Sequence, residues 1–392
     1  MLNILFLGLI SFFTDISTEM VYPIIPLYLI SSFGATPALV GIIEGIAESL
    51  ASLLKVFSGY ITDKSQNKKA IAFTGYTTGL LYKVALLLST SWIGILLARV
   101  IDRIGKGIRT APRDVLVSES AGIKNMGKAF GLHKALDMLG SALGILLTYF
   151  ILRQFHNESN SNYYYKKLFV FSMIPAILGL LMFAFVKQKS KLNGLKTKEL
   201  FWKNIQKVPR QLKLYLLVVF TFTLGNSSNT FILLKAKSAG FDDIQTILLY
   251  FFYNLVASAL SFPLGKLSDK IGRQKLLIPG YAVFSLCYLG FAFAYSRYIM
   301  VSAFLLYGIY TAMIAGVERA FVAEVSPFEL RGTMLGLHST VAGIALFPAS
   351  VIAGVLWNVF GDKAPFLLGA GLSLTAVLIL VLFMRDSRAD AQ

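Results

Sequence analysis

Charge is scarce in this chain of 392 residues: 15% are Asp, Glu, Lys or Arg, where an ordinary soluble domain carries about 25%. Acid is scarcer than base, with 20 acidic residues against 37 basic ones. A water-exposed globule is therefore excluded. Cysteine is nearly absent. Cys287 stands alone in an apolar run, so an intramolecular disulfide is excluded and the redox compartment is not encoded. Also missing are a phosphate-cradling Gly-rich loop, a Cys/His cluster at metal-ligand spacing and a nucleophile motif. No enzyme activity, cofactor or metal site is expected, so any work this chain does draws on a gradient.

What fills the space is apolar sequence. Hydrophobic residues make up 56% and the mean hydropathy is +0.68. Runs of about 20 apolar residues, each long enough to cross a bilayer, recur along the chain. Twelve helical spans are expected near 3–30, 37–62, 70–89, 92–118, 128–152, 165–187, 212–236, 245–266, 275–295, 298–324, 332–358 and 364–384. The first is interrupted by Asp15 and Glu19 and lacks a small-residue cleavage site. It reads as a retained span rather than a signal peptide.

The net charge of +17 invites a nucleic-acid reading, and the placement of the charges argues against it. Basic residues concentrate in alternate loops: Asp63–Lys69, Ser118–Lys128, Lys187–Lys213 and Lys266–Lys275. That bias is the one expected of cytoplasmic loops and places both termini inside. The expected setting is the cytoplasmic (inner) membrane, with the lipid bilayer, a small-molecule substrate and protons as partners, no nucleic acid, and a monomeric chain. The central linker, 188–211, reads as an orientation signal and membrane-surface tether.

The chain also repeats itself. Gly59-Tyr60-Ile61-Thr62-Asp63-Lys64 recurs as Gly265-Lys266-Leu267-Ser268-Asp269-Lys270, at an offset of 206. Gly131-Leu132-His133 recurs as Gly336-Leu337-His338, and Glu119 as Glu324, at an offset of 205. Long-period similarity of this kind marks a duplicated architecture. The expected domains are an N-terminal six-helix bundle (1–187), the basic linker (188–211) and a C-terminal six-helix bundle (212–392).

Two six-helix halves, with a Gly-x-x-x-Asp-Lys-x-Gly-Arg-x-Lys turn at 265–275 and a degraded copy at 59–69, resemble the major facilitator superfamily over essentially the whole chain. The resemblance implies an all-α membrane fold of twelve helices in two pseudo-symmetric bundles, and a secondary transporter working by alternating access. It also implies a gating role for the turn: Gly59, Asp63, Lys64, Gly265, Asp269 and Arg273, with Arg113 and Glu119. In physical terms, Gly59 and Gly265 allow close helix approach. Asp63 and Asp269 are expected to face the positive ends of helices 3 and 9. Lys64, Lys68, Lys270 and Arg273 can pair with Glu119 and Glu324. The bland alternative is that these charges only set topology.

Span 4 is the most polar helix. Arg99, Asp102, Arg103, Lys106, Arg109 and Arg113 recur at helical spacing within it. It resembles the family's fourth-helix Arg–Gly motif, with Arg103 where glycine is usual. A face of this kind lines a wet cavity or pairs with acids from other helices. Candidate acids are Asp15 and Glu19 on span 1, Glu44 and Glu48 on span 2, and Asp137 on span 5. Asp15, Glu19, Glu48 and Asp137 are the proton-coupling candidates, with Asp15 and Glu19 expected opposite Arg103 and Lys106. Arg103, Lys106 and Arg109, together with Asn226 and Asn229 on span 7, are the substrate-binding candidates. Each acid can equally be a structural ion pair. His133 and His338, at matched positions, read as packing residues, and the pair Glu318-Arg319 as structural. Lys235 and Lys237 are read as snorkelling.

The excess of cations near mid-depth points to a small polar anionic substrate, an organic carboxylate or a metal chelate of siderophore type. The alternative is a multidrug/proton antiporter exporting amphipathic compounds. Span 5 has Gly140 and Gly144 but lacks the Gly–Pro motif usual for the family's antiporters. A non-transporting membrane receptor or scaffold is the remote third reading.

Overall fold

The computed structural model describes residues 2–25, 28–29, 33–34, 37–121, 123–155, 161–188, 208–227, 229–241 and 243–383, and every structural statement below concerns these. Side chains of 35–49, which include Glu44 and Glu48, lie outside the described residues, as does most of the basic linker.

Helices form wherever the apolar runs predict them. Spans 1–6 are Leu2–Val21, Pro37–Lys64, Lys68–Leu88, Trp92–Ala121, Met126–Phe155 and Ser161–Met182. Span 7 is broken into Arg210–Gly225 and Asn229–Ser238, and spans 8–12 are Asp243–Ile271, Arg273–Ala292, Arg297–Val325, Arg331–Phe360 and Ala364–Phe383. Nine of the described helices are long and apolar enough to cross a bilayer. Spans 2, 4 and 7 fall outside the nine: span 4 is charged, span 7 is divided, and the side chains of 35–49 in span 2 are not among those described. The pieces of span 7 are 16 and 10 residues long, and the first ends where the Asn226 N–H closes on the carbonyls of Phe222 and Thr223.

The packing follows the duplication. Spans 1–5, 1–6, 2–4, 3–4 and 3–6 are in contact, and so are their counterparts 7–11, 7–12, 8–10, 9–10 and 9–12. Two further contacts, 5–8 and 2–11, join one set to the other and exchange under the same symmetry. Large apolar side chains such as Leu81, Leu97, Phe150, Ile174 and Leu181 stay exposed. On a bilayer-spanning bundle these form the lipid-facing surface, since lipid is as apolar as they are.

Charges collect inside instead. Lys83, Arg99, Asp102, Arg103, Arg109, Arg113 and Asp114 are all buried. A helix face with such residues cannot lie against hydrocarbon, so span 4 is turned inward, and its charges position the site described next.

Candidate functional site

The repeated turn builds the seam between the two sets of helices. Asp63, at the end of span 2, accepts hydrogen bonds from the backbone N–H of Gly332 (2.7 Å) and Thr333 (2.6 Å), and from the Thr333 hydroxyl (2.6 Å). Asp269, at the end of span 8, accepts from the N–H of Gly127 (2.8 Å) and Lys128 (2.7 Å). Each carboxylate thus seals the N-terminus of a helix in the opposite half, spans 11 and 5, where unpaired N–H groups and the helix dipole favour an anion. This corrects the expectation that they serve helices 3 and 9. Helix 3 is capped by the Asn67 side chain, which accepts from Ala70 N–H. Helix 9 starts after Gly272, whose φ of 94° is open to glycine at little cost.

The glycines let these contacts form. A Cβ on Gly59 would run into the carbonyl oxygen of Gly332, and one on Gly265 into that of Gly127. Gly131 and Gly336 extend the two seams, each with no room for a side chain against Ser261 and Lys55 backbone respectively. Around each seam sits a matched ion pair: Lys68 with Glu119, and Arg273 with Glu324 at 2.5 Å, Arg273 also reaching Asp269 at 2.8 Å. Lys64 instead lies over the Tyr60 ring, 4.4 Å from its centroid.

One turn deeper, Arg113 is paired with Asp114 at 2.9 Å, and Asp114 also reaches Arg319 of span 10 at 3.5 Å. Glu318 accepts a 2.7 Å hydrogen bond from Tyr281 and lies 3.7 Å from His338. The residues read as a local structural pair therefore divide their work: Arg319 bridges the halves, while Glu318 anchors the second half. His133 bonds Ser11 at 2.9 Å. This end of the molecule, which carries the basic loops, is closed.

Beyond the closure the interior is polar. Asp102 lies 3.7 Å from Arg99 and 3.6 Å from Arg103. Lys134 is paired with Asp137 at 2.6 Å. Glu19 has Lys106 and Arg103 as its charged neighbours. Asp15 does not face them. Its charged neighbours are Asp137, Arg109 and Lys134. The i,i+4 spacing keeps Asp15 and Glu19 on one face but a turn apart in depth, so the two meet different partners. Arg109 lies over the Tyr76 ring at 4.7 Å, and Arg99 and Arg103 over Tyr22 at 5.3 and 5.9 Å.

Facing this charged wall, the second half presents tyrosines. Tyr307 donates to Asn229 (3.0 Å) and Asn226 (3.5 Å). Tyr288 donates to Asn226 (3.4 Å), and the Asn226 and Asn229 amides donate to Tyr310 (3.4 Å) and Tyr250 (3.5 Å). Tyr250 and Tyr253 are electrostatic neighbours of Glu19, and Tyr253 of Asp137, which ties the two walls into one site. Other aromatics of spans 7 and 8 do not join this wall: Phe222 is core, Phe231 packs on Trp357, and Phe252 is half exposed on the outside. Lys235 is buried and paired with Asp362 rather than snorkelling.

Sequence reasoning missed Lys83, buried in span 3, and the tyrosines at 288, 307 and 310. The first had a signal, a lone lysine in the apolar run 70–89. The tyrosines had none, because only packing separates them from lipid-facing aromatics.

The comparisons agree with this architecture. The sequence profile described as Major Facilitator Superfamily matches residues 7–294 and 214–392. An uncharacterized MFS-type transporter of Methanocaldococcus jannaschii is 37% identical over 385 residues, covering 97% of this chain and 94% of its own. Among solved structures, the human organic anion transporter MFSD10 (TETRAN) superposes with a TM-score of 0.78 at 17% identity, over 97% of this chain and 98% of that one. The proton:xylose symporter XylE superposes with a TM-score of 0.75 at 16% identity, over 97% and 95%. With a fold of duplicated helix sets around a polar interior, closed at one end by paired Gly–Asp seams, the chain belongs to the major facilitator superfamily and is a multi-pass membrane transporter of small molecules.

Proposed function

We propose that the protein is a proton-coupled secondary transporter that moves a small polar anion, an organic carboxylate or carboxylate-type metal chelate, across the cytoplasmic (inner) membrane by alternating access. Its moving parts are the bundles 1–187 and 212–392, tethered by the basic linker 188–211. What supports the coupling is that Asp15 and Asp137 are neighbours in the interior. Two neighbouring carboxyl groups away from water resist double ionisation, which favours one proton held between them. An interior carboxyl pair that holds one proton and sits beside Arg109 and Lys134 is equipped to load and release it as those cations shift. Cations of spans 4 and 5 favour an anionic substrate, and the tyrosine–asparagine wall supplies hydrogen bonds and ring faces to its body.

The described basic turns after spans 2, 4 and 8 lie on the closed side. The excess of Lys and Arg there supports reading that side as cytoplasmic, and on that reading the conformation faces outward. The Asp63 and Asp269 seams are the cytoplasmic gate.

The test uses purified protein in liposomes. A pH gradient drives uptake of a radiolabelled di- or tricarboxylate, and equilibrium exchange is followed in the same vesicles. Asp15→Asn and Asp137→Asn are expected to lose gradient-driven uptake while retaining exchange. Normal gradient-driven uptake by both stable variants removes the pair from coupling. Accumulation of amphipathic cations instead of carboxylates establishes the antiporter reading.

A further inference from the structure

Span 3 contributes to the site a cation that no functional assignment yet uses. Lys83 is 1% exposed. Its ammonium lies 5.2 Å from the Tyr82 ring centroid, and among the described residues no carboxylate comes within 4 Å of it. Its carboxylate neighbours at longer range are Asp102 and Asp15, and Asp102 is already engaged by Arg99 and Arg103.

A second cation shares this face. Arg109 is 6% exposed, and its Nη1 holds no hydrogen bond among the described residues. Its stem is pressed against Gly75, and Nη1 would lie 3.5 Å from a Cβ on Gly79. Gly79 and Lys83 are one helical turn apart, so they share a face of span 3. The glycine track therefore leads the guanidinium of Arg109 along span 3 toward the ammonium of Lys83, and the two are electrostatic neighbours. Tyr76 and Tyr82 flank them.

Two buried cations at one face of span 3, the Arg109 Nη1 without a hydrogen bond among the described residues, are costly in a bilayer interior unless an anion joins them. We propose that Lys83 and Arg109 form an oxyanion subsite between spans 3 and 4, which takes one carboxylate or phosphate group of the transported molecule. The subsite rests on the anion-transporter reading above and narrows it. Arg109 supplies a planar fork for two oxygens and Lys83 a compact charge for one. The competing explanation is that both cations are held by the long-range pull of Asp102 and Asp15 and bind nothing.

Thermal unfolding of the full-length protein in detergent separates these. The probes are succinate, citrate and inorganic phosphate, each against sodium chloride at equal ionic strength. A probe that binds the native state raises the melting temperature. At least one probe is expected to raise it in the wild-type protein, carboxylate and phosphate sources being told apart by which one does. The shift is expected to vanish in Lys83→Gln and Arg109→Gln and to survive partly in Lys83→Arg, which keeps the charge. If Arg109→Gln does not fold, Arg109→Lys replaces it, with a shift at least halved. An unchanged shift in the variants overturns the subsite while leaving anion transport standing. No shift with any probe in the wild-type protein overturns both.

Discussion

At the scale of single residues, the proposed gate rests on two short side chains, Asp63 and Asp269. Each binds two backbone N–H groups of a helix in the other half. Those bonds exist only while the halves are closed at this end, so their strength enters the gate equilibrium and not the folding of either half. Hydrogen bonds to a charged group are worth about 1.5–3 kcal/mol each, and ~1.4 kcal/mol is tenfold in an equilibrium constant. Asp269→Asn is therefore expected to open the gate at least about tenfold more often without loss of folding. Gly265→Leu, which puts a side chain into the Gly127 carbonyl, is expected to do the same by sterics, at a cost of about 1–3 kcal/mol to the closed form. The check is the rate at which a cysteine at Ser261, in a Cys287→Ser background, reacts with a membrane-impermeant maleimide applied from the gate side. Ser261 is buried in the closed seam, so an unchanged rate in both variants ends the gating assignment and leaves Asp269 a topology residue.

At the scale of elements, the break in span 7 is the departure from regular helix that matters most. Its two pieces are pinned separately. The inner piece is held by Tyr215 against Tyr281 and by the Asn226 contacts. The outer piece is held by Lys235 and Ser238 bound to Asp362 in the loop before span 12. Partial burial pushes the Asp362 carboxyl up, but the hydrogen bond and charge of Lys235 outweigh it and hold the group below its ordinary value. A group depressed in the folded state stabilises the fold above its unfolded pKa and loses that contribution as pH falls through the folded value. The melting-temperature difference between wild type and Asp362→Asn is thus expected to be constant from pH 5 to 8 and to shrink only below about pH 4. A difference that already shrinks between pH 7 and 5 means that Asp362 is not held ionised by Lys235. Because the pair is partly exposed, the difference itself is expected to be small, within ~1 kcal/mol.

At the scale of the whole molecule, the two seams are related by the duplication and act on one equilibrium from opposite sides. Asp63 and Asp269 share no bonding partner, so their free-energy contributions are expected to add. In the labelling assay, Asp63→Asn combined with Asp269→Asn is then expected to raise the rate by about the product of the single effects. A double variant no faster than the faster single variant would mean that one seam alone holds the gate and that the symmetry is vestigial. Arg319 on Asp114 adds a further tie across the halves, between two positions that the duplication itself equates.

The sequence by itself determined the helical spans, the internal repeat and the glycine–aspartate positions that meet at the seams. These follow from local facts: runs of bilayer length, loop charge, and glycine and aspartate at a fixed spacing. It also determined that span 4 faces inward, since no other placement of its charges is affordable in hydrocarbon. Only the tertiary structure decided which groups meet. Asp15 joins Asp137 and not Arg103, because depth along span 1 and the angle to span 5 are set by glycine packing: Gly140 against Phe12 and Gly144 against Ile16. Asp63 and Asp269 reach across to spans 11 and 5, although helices 3 and 9 follow them directly in sequence. A helix exposes partners around its whole circumference, and which of them a side chain finds is fixed by the neighbours it is packed against, often more than a hundred residues away.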